Sequence, residues 1–271
     1  MRNLSARAYG SHTPRPLRVL MLHGFAQNSR QFEQKTAFIR DNLLRATHTA
    51  PSSKARDIQF TFVNAPFSLK QGALPSIDLD GAKQQDKSAQ LDACTWWHLT
   101  GKTPPFLYNG LDVSLSLIAE TICTQGSFDG IIGFSQGAAL ATMVAALLEH
   151  GRKDAFDKAE ALGGMPYPFA FITQTATIQP PLKFVIAMSG FAGARIPLYQ
   201  AFCHPKIMTP TLHVLGENDD FIKPEMSQKL VDCFVDPRVL HHTGGHVVLQ
   251  ADHLEGIEVE LSECLGTLVN L

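Results

Sequence analysis

The sequence predicts a three-layer α/β fold, a mostly parallel sheet with helices packed on it. Two patterns predict it. Short apolar runs alternate with helix-like stretches along most of the chain, the order that builds βαβ units. Several of those runs are continuous rather than alternating, as strands covered on both faces require. The 271 residues suit one open α/β domain, and no internal repeat or linker divides them. A chain of this length buries a sizeable core without staples.

The elements follow in order. Residues 17–22 (LRVLML) read as a strand ending at His23-Gly24. A helix follows over 29–44, with Phe32, Phe38, Ile39 and Leu43 near helical spacing and Ser29 as the candidate cap. Residues 46–56 are polar and read as a loop. The second strand is 58–63, stopped by Asn64-Ala65-Pro66. Residues 67–109 show no clean period and read as an excursion. A helix spans 111–123. A short strand over 128–133 then runs into Phe134-Ser135-Gln136-Gly137 and an Ala/Leu/Met-rich helix ending near Glu149. A second irregular stretch covers 150–181. Residues 183–188, 211–215 and 239–242 read as strands. Residues 224–235 read as a helix with Pro224 at an early position, and 254–268 as the closing helix. Residues 1–16 read as a flexible arm. The stretches 67–109 and 150–181 read as lid-like insertions near the active site.

Composition narrows the function. Charged residues are 18% of the chain, below the usual level of about 25%, which excludes a disordered or highly charged tail protein. The formal net charge of -2 gives no general attraction to nucleic acid or anionic lipid. The missing charge has a location. From 161 to 194 only Lys183 is charged, and from 61 to 77 only Lys70, so these segments are predicted to form an apolar lid or acyl pocket. The five cysteines are odd in number and form no CxxC pair, which argues against a disulfide framework or a zinc ribbon. They read as buried free thiols in a reducing cytoplasm, with nuclear access open. No apolar run approaches the ~20 residues of a membrane span, and the N-terminus lacks a signal core. Arg2, Arg7, Arg15 and Arg18 precede the first acid, Glu33, and read as a solvated arm, the alternative being an organellar address.

The sharpest chemical feature is Gly133-Phe134-Ser135-Gln136-Gly137. A G-x-S-x-G between a buried strand and a small-residue helix is the pattern of a nucleophile elbow. Its glycines leave room for a sharp turn, and the helix N-terminus aims amides at the reacting oxygen. A serine hydroxyl needs a base to take its proton, and that base needs an acid to hold its tautomer. On such an elbow the chain order is serine, acid, histidine. Asp219 follows the 211–215 strand and is the candidate acid, with Asp220 and Glu217 as neighbouring competitors. His246 follows a Gly244-Gly245 turn and is the candidate base. His241 and His242 lie in a strand pattern and read as structural, and His253 carries little weight. The oxyanion of a tetrahedral intermediate needs donors. The amide of Gln136 is one candidate and the amide of Phe25, in Leu22-His23-Gly24-Phe25, the other. Both are backbone groups, so side-chain substitution is expected to test them poorly. His23 reads as structural. Trp96-Trp97 reads equally as a pocket wall or as core packing. No metal triad, P-loop or dinucleotide fingerprint is present, so no cofactor or metal is expected.

These motifs together resemble the FSH family of serine hydrolases, within the α/β-hydrolase fold. The resemblance rests on 20–28 (LMLHGFAQN), 62–67 (FVNAPF), Trp96-Trp97, 128–137 (FDGIIGFSQG) and the segments around Asp219 and His246. It covers residues 17–268. The family usually shows Asp where Asn64 stands, and 150–181 runs longer than the family core. The resemblance implies a carboxylic-ester or thioester hydrolase with a small-molecule acyl substrate. Release of an acyl or polyketide chain from an acyl carrier protein is an alternative it also implies. A third alternative is a non-catalytic small-molecule receptor on the same fold.

Overall fold

Strand β1 (Leu17–Leu22) lies inside a six-stranded sheet, and its position explains why it is apolar on both faces, with Arg18 near its start the one break in the run. Val19 and Met21 enter one apolar cluster with Phe32, Ile39 and Leu265. Leu20 and Leu22 enter another with Ile118, Val144 and Trp96. Successive side chains of a strand point to opposite faces, so a strand buried on both sides carries apolar residues on both faces. The computed structural model describes residues 15–49, 56–69, 92–101, 107–174, 176–192 and 197–269.

After β1 come α1 (Ser29–Lys35), α2 (Ala37–Thr49) and β2 (Ile58–Val63). Two small antiparallel ribbons follow, β3 (Phe67–Ser68) with β4 (Cys94–Thr95), and β5 (His98–Thr100) with β6 (Leu107–Asn109). Then α3 (Leu111–Gln125), β7 (Gly130–Phe134), α4 (Gln136–Leu148) and α5 (Arg152–Glu160). The chain ends with β8 (Phe184–Met188), β9 (Thr211–Gly216), α6 (Pro224–Val231), β10 (Arg238–His242) and α7 (Glu258–Val269). The main sheet runs β10-β9-β8-β7-β1-β2, every pair parallel. The chain therefore goes from β1 to one neighbour, β2, and later returns on the other side with β7. That reversal opens a crevice at the carboxyl ends of β1 and β7, where α/β sheets bind ligands. His23-Gly24 and Ser135 leave the sheet there, since Leu22 pairs with Gly133.

The strands match their predicted ranges to within two residues. The helices differ more. The single helix expected over 29–44 is two, broken at Thr36, whose hydroxyl bonds back to the Phe32 carbonyl at 2.7 Å. The cap is Asn28, not Ser29, and it forms a capping box with Gln31. The second helix continues to Thr49, so 46–49 is not loop, and residues 50–55 lie outside the described residues. The stretch 150–181 contains α5. Of the N-terminal arm, 1–14 lie outside the described residues. Arg15 keeps an exposed side chain, 62% accessible, but its guanidinium is anchored to both oxygens of the buried Asp129 at 2.7 and 2.8 Å.

Two further corrections concern cysteine. Cys203 and Cys233 are joined in a disulfide across 30 residues of sequence, so five free thiols was wrong. Cys123 is exposed, while Cys94 and Cys264 are the buried thiols. Pairing across that separation depends on where the chain folds back, which spacing does not encode.

One polar cluster holds the loops behind α4. The Glu149 carboxylate is 2.7 Å from Arg152 Nη2 and accepts the amides of Met208 and Thr209 at 2.6 and 2.8 Å. Arg152, 2% exposed, also donates to the carbonyls of Pro205 and Ala201. Glu149→Ala would strand a buried guanidinium and two amides. The expected loss is about 3–5 kcal/mol in urea unfolding. A loss under about 1 kcal/mol, the level of a surface pair, would mean the cluster holds nothing.

His213 is the opposite case. It sits fully buried in β9, edge-on to Phe234, and neither ring nitrogen has a partner among the described residues. Burial drives its pKa from 6.5 down to about 3. Between those values the unfolded chain binds a proton that the folded chain does not. Stability is therefore fully present above pH 6.5 and falls as pH falls through that window. His213→Leu is expected to raise stability by about 1–3 kcal/mol at neutral pH and to flatten the acid limb. Urea midpoints against pH for both proteins check this, and an unchanged acid slope in the variant would sink it.

Candidate active site

Ser135 sits at the junction of β7 and α4 with φ 53° and ψ −116°, a backbone conformation that L side chains rarely adopt. The flanking glycines explain how the turn fits. A Cβ on Gly133 would meet the Gly137 carbonyl oxygen at 2.3 Å, and one on Gly137 the Leu22 carbonyl oxygen at 2.2 Å. Any side chain there would push α4 off the sheet. The Ser135 amide is anchored to the Met188 carbonyl at 2.8 Å. α4 is buried at every position, which holds its N-terminus rigidly at the crevice.

His246 reaches Ser135 from the far edge of the sheet. Its Nε2 lies 3.0 Å from Ser135 Oγ, and its Nδ1 lies 2.8 Å from Asp219 Oδ2. The other carboxylate oxygen, Oδ1, accepts the amides of Phe221 and Ile222 at 3.0 and 2.8 Å. Burial pushes the Asp219 carboxyl up, but the His246 hydrogen bond, the His246 charge and the Ile222 amide outweigh it and hold it below the usual carboxylate range. A carboxylate that stays ionised keeps the Nδ1 proton of His246 in place and leaves Nε2 as the acceptor facing the serine. Asp220 and Glu217, the sequence competitors, are exposed. The imidazole packs between Phe134 and Phe221, with ring centroids 4.9 and 5.5 Å away.

The loop that carries His246 is held by Asn218, which no motif singles out, and by His242, which the sequence marks as structural. Asn218 donates from its side chain to the Thr243 carbonyl at 2.7 Å and from its amide to the Gly244 carbonyl at 3.2 Å. His242 Nδ1 accepts the Gly244 amide at 3.1 Å. Burial and the neighbouring His253 press the His242 pKa down to about 4, so it stays a neutral acceptor at physiological pH. An asparagine one residue before the acid was the only signal in the sequence. The bond itself joins two loops that meet only in the fold.

Gln136 is the first residue of α4, so its amide has no intrahelical acceptor, and the Ser135 side chain does not cap it. Across the crevice Phe25 lies in a tight turn closed by Gln27 N to Gly24 O at 3.3 Å, with Ala26 at φ 59°. The Phe25 amide meets no backbone acceptor among the described residues. His23 is bonded on both nitrogens inside the protein: Nδ1 donates to the Gly24 carbonyl at 2.7 Å and Nε2 accepts the Ala65 amide at 3.0 Å. Burial takes its pKa to about 4.

The chain's relatives fit this geometry. The profile of the serine hydrolase (FSH1) family matches residues 12–254. The chain belongs to that family. An esterase OVCA2 of Xenopus tropicalis is 31% identical over 246 residues, spanning 88% of this chain and 89% of that one. An esterase OVCA2 of Danio rerio is 29% identical, spanning 86% and 90%. Among solved structures, acyl-protein thioesterase 2 of Zea mays superposes with a TM-score of 0.54 at 16% identity, over 94% of this chain and 96% of that one. That likeness is one of fold, the α/β-hydrolase fold. In this FSH1 serine hydrolase Asn64 Oδ1 accepts the Ser29 amide at 2.7 Å, a bond a carboxylate oxygen makes equally well. No described helix is long and apolar enough to cross a membrane.

The expected insertions divide. Residues 92–97 border the elbow, as the bonds of 95–97 to Gln136 show. Residues 70–91 and 102–106 lie outside the described residues. The stretch 150–181 does not form a lid over Ser135. Tyr167 bonds the Leu147 carbonyl at the far end of α4, and Gln179 brackets Phe128 at the amino end of β7. Of its apolar residues, Phe156, Tyr167 and Phe171 are core, while Leu162 and Phe169 are exposed. The charge-poor stretch 161–181 is therefore neither a lid nor a buried segment, since among its described residues only Tyr167, Phe171 and Gln179 are buried, while the following turn brings Phe191 edge-on to Trp97. Trp96 and Trp97 are themselves core residues, 0% and 1% exposed.

Proposed function

We propose that this serine hydrolase cleaves carboxylic esters or thioesters through an acyl-enzyme on Ser135. One observation carries the reading: His246 bridges Ser135 Oγ at 3.0 Å and a buried, ionised Asp219 at 2.8 Å. Ser135 Oγ attacks the acyl carbon while His246 Nε2 takes its proton. Asp219 holds the imidazole in the required tautomer and stabilises the imidazolium. The carbonyl oxygen, now an oxyanion, accepts from the amides of Phe25 and Gln136. The intermediate collapses, and the departing alkoxide or thiolate takes the proton from His246. Water then attacks the acyl-enzyme with His246 again as base, releasing the acid and restoring Ser135. The chemistry calls on no cofactor. Small acyl esters and thioesters are the substrates, and a thioester borne by an acyl carrier protein is one such donor. A cytoplasmic setting is part of the same proposal.

A fluorophosphonate probe tests this directly. Labelling at Ser135, located by mass spectrometry of the modified peptide, is expected. A binding-only receptor would take up no label. Turnover of p-nitrophenyl esters and acyl-CoA thioesters of increasing length then separates ester from thioester preference.

A further inference from the structure

The Gln136 side chain has a job separate from its amide. Its Oε1 accepts the Trp96 amide at 2.9 Å, and its Nε2 donates to the Trp97 carbonyl at 2.9 Å. Those partners fix the orientation of the carboxamide, because one can only donate and the other only accept. The Thr95 hydroxyl adds to the same knot, 3.0 Å from Oε1 and 2.8 Å from the Trp97 carbonyl. All these atoms are buried, and Gln136 is 5% exposed.

The strip that Gln136 grips also holds the other side of the crevice. Ala26 N donates to the Cys94 carbonyl and Cys94 N to the Gln27 carbonyl, each at 2.9 Å. The Trp96 indole N–H donates to the His23 carbonyl at 2.8 Å. Gln27 Oε1 in turn accepts the Gly24 amide at 2.9 Å. Phe25 therefore sits between residues tied to Cys94 and Trp96, and Gln136 is tied to Thr95, Trp96 and Trp97. Four consecutive residues brace both sides.

We infer that Gln136 is a positioning residue: its carboxamide, through the strip 94–97, fixes the spacing of the Phe25 and Gln136 amides across the oxyanion site. The inference rests on the reading of Ser135 as nucleophile. Two donors stabilise a developing oxyanion only if both lie at hydrogen-bond distance from one point. The amides sit on different elements, a turn after β1 and a helix after β7. The pairing of Leu22 with Gly133 sets the two elements side by side, and beyond the strand ends the strip 94–97 ties the turn to the helix.

The test compares wild type with Gln136→Met, which keeps the backbone amide and similar bulk but loses the carboxamide. Rates with a p-nitrophenyl ester are expressed per titrated active site, and the affinity of an alkyl boronic acid, which forms a tetrahedral adduct, is measured alongside. The expected result is a fall in kcat/KM on the order of 10 to 100-fold, with KM little changed and boronate affinity falling in parallel. A purely structural role lowers the titre or the melting temperature and leaves both per-site values alone. Per-site kcat/KM within about threefold of wild type, or unchanged boronate affinity, overturns the inference. Should Gln136→Met not fold, Trp96→Phe decides. It cuts the strip's tie to the His23 carbonyl and is expected to lower per-site kcat and boronate affinity together. Activity surviving in Ser135→Ala would remove the underlying reading instead, so the two failures are distinguishable.

Discussion

Ser135→Ala is expected to lower kcat by on the order of 10⁴ to 10⁶, with the melting temperature close to that of wild type. The size follows from geometry. His246 Nε2 is aimed at a single oxygen 3.0 Å away, and without that oxygen neither base nor acid has a reacting atom to serve. What survives is binding and oxyanion stabilisation alone, worth roughly 10³ to 10⁴ over water. The fold is expected to be indifferent because Ser135 is strained at φ 53° and caps nothing, so alanine there removes no stabilising bond beyond the one to His246. Ester hydrolysis at the wild-type rate would remove Ser135 from the reaction.

Asp219→Asn is the second large effect, a loss in kcat on the order of 10⁴. Here the surrounding bonds dictate how the variant fails. Oδ1 accepts two backbone amides, from Phe221 and Ile222, so the asparagine must place its oxygen there. Its NH₂ group then falls where Oδ2 meets His246 Nδ1 at 2.8 Å. Two donors cannot face each other, so Nδ1 gives up its proton and Nε2 holds one. The imidazole then presents a donor to Ser135 and cannot take its proton. KM is expected to change little, since the Asp219 carboxylate is buried and meets His246 on the nitrogen that faces away from Ser135. Fluorophosphonate labelling rates and kcat are expected to fall together. Asp220→Asn and Glu217→Gln, at exposed positions, serve as comparisons and are expected to stay within about threefold of wild type. Equal losses at Asp220 would reassign the acid.

The sheet was legible because its strands are buried on both faces. A run such as LRVLML or KFVIAM reports that burial directly, and strand ends were placed to within two residues. The elbow was legible for a similar reason. Gly133 and Gly137 stand where backbone atoms approach within a side chain's reach, so the chain writes the close contact into its composition. Helix boundaries were less legible. The break at Thr36 depends on a hydroxyl turning back to Phe32, a bond competing against a periodicity that runs straight through it.

The order of candidate groups was readable along the chain: a serine in a glycine-flanked turn, an acid after one strand, a histidine after the next. Those are local properties, set by what fits a turn or a buried strand. The fold then separated the candidate acid from its competitors: Asp219 is buried against His246, while Glu217 and Asp220, carboxylates that local pattern left in contention, are exposed. It also decided that Cys203 pairs with Cys233, that Tyr167 of the charge-poor stretch is anchored at the far end of α4, and that Gln136 grips the strip 94–97. Each of these joins segments 20 or more residues apart. Such contacts are set by strand order and helix packing, and a linear pattern of residues carries no distance between points that meet only when the sheet closes.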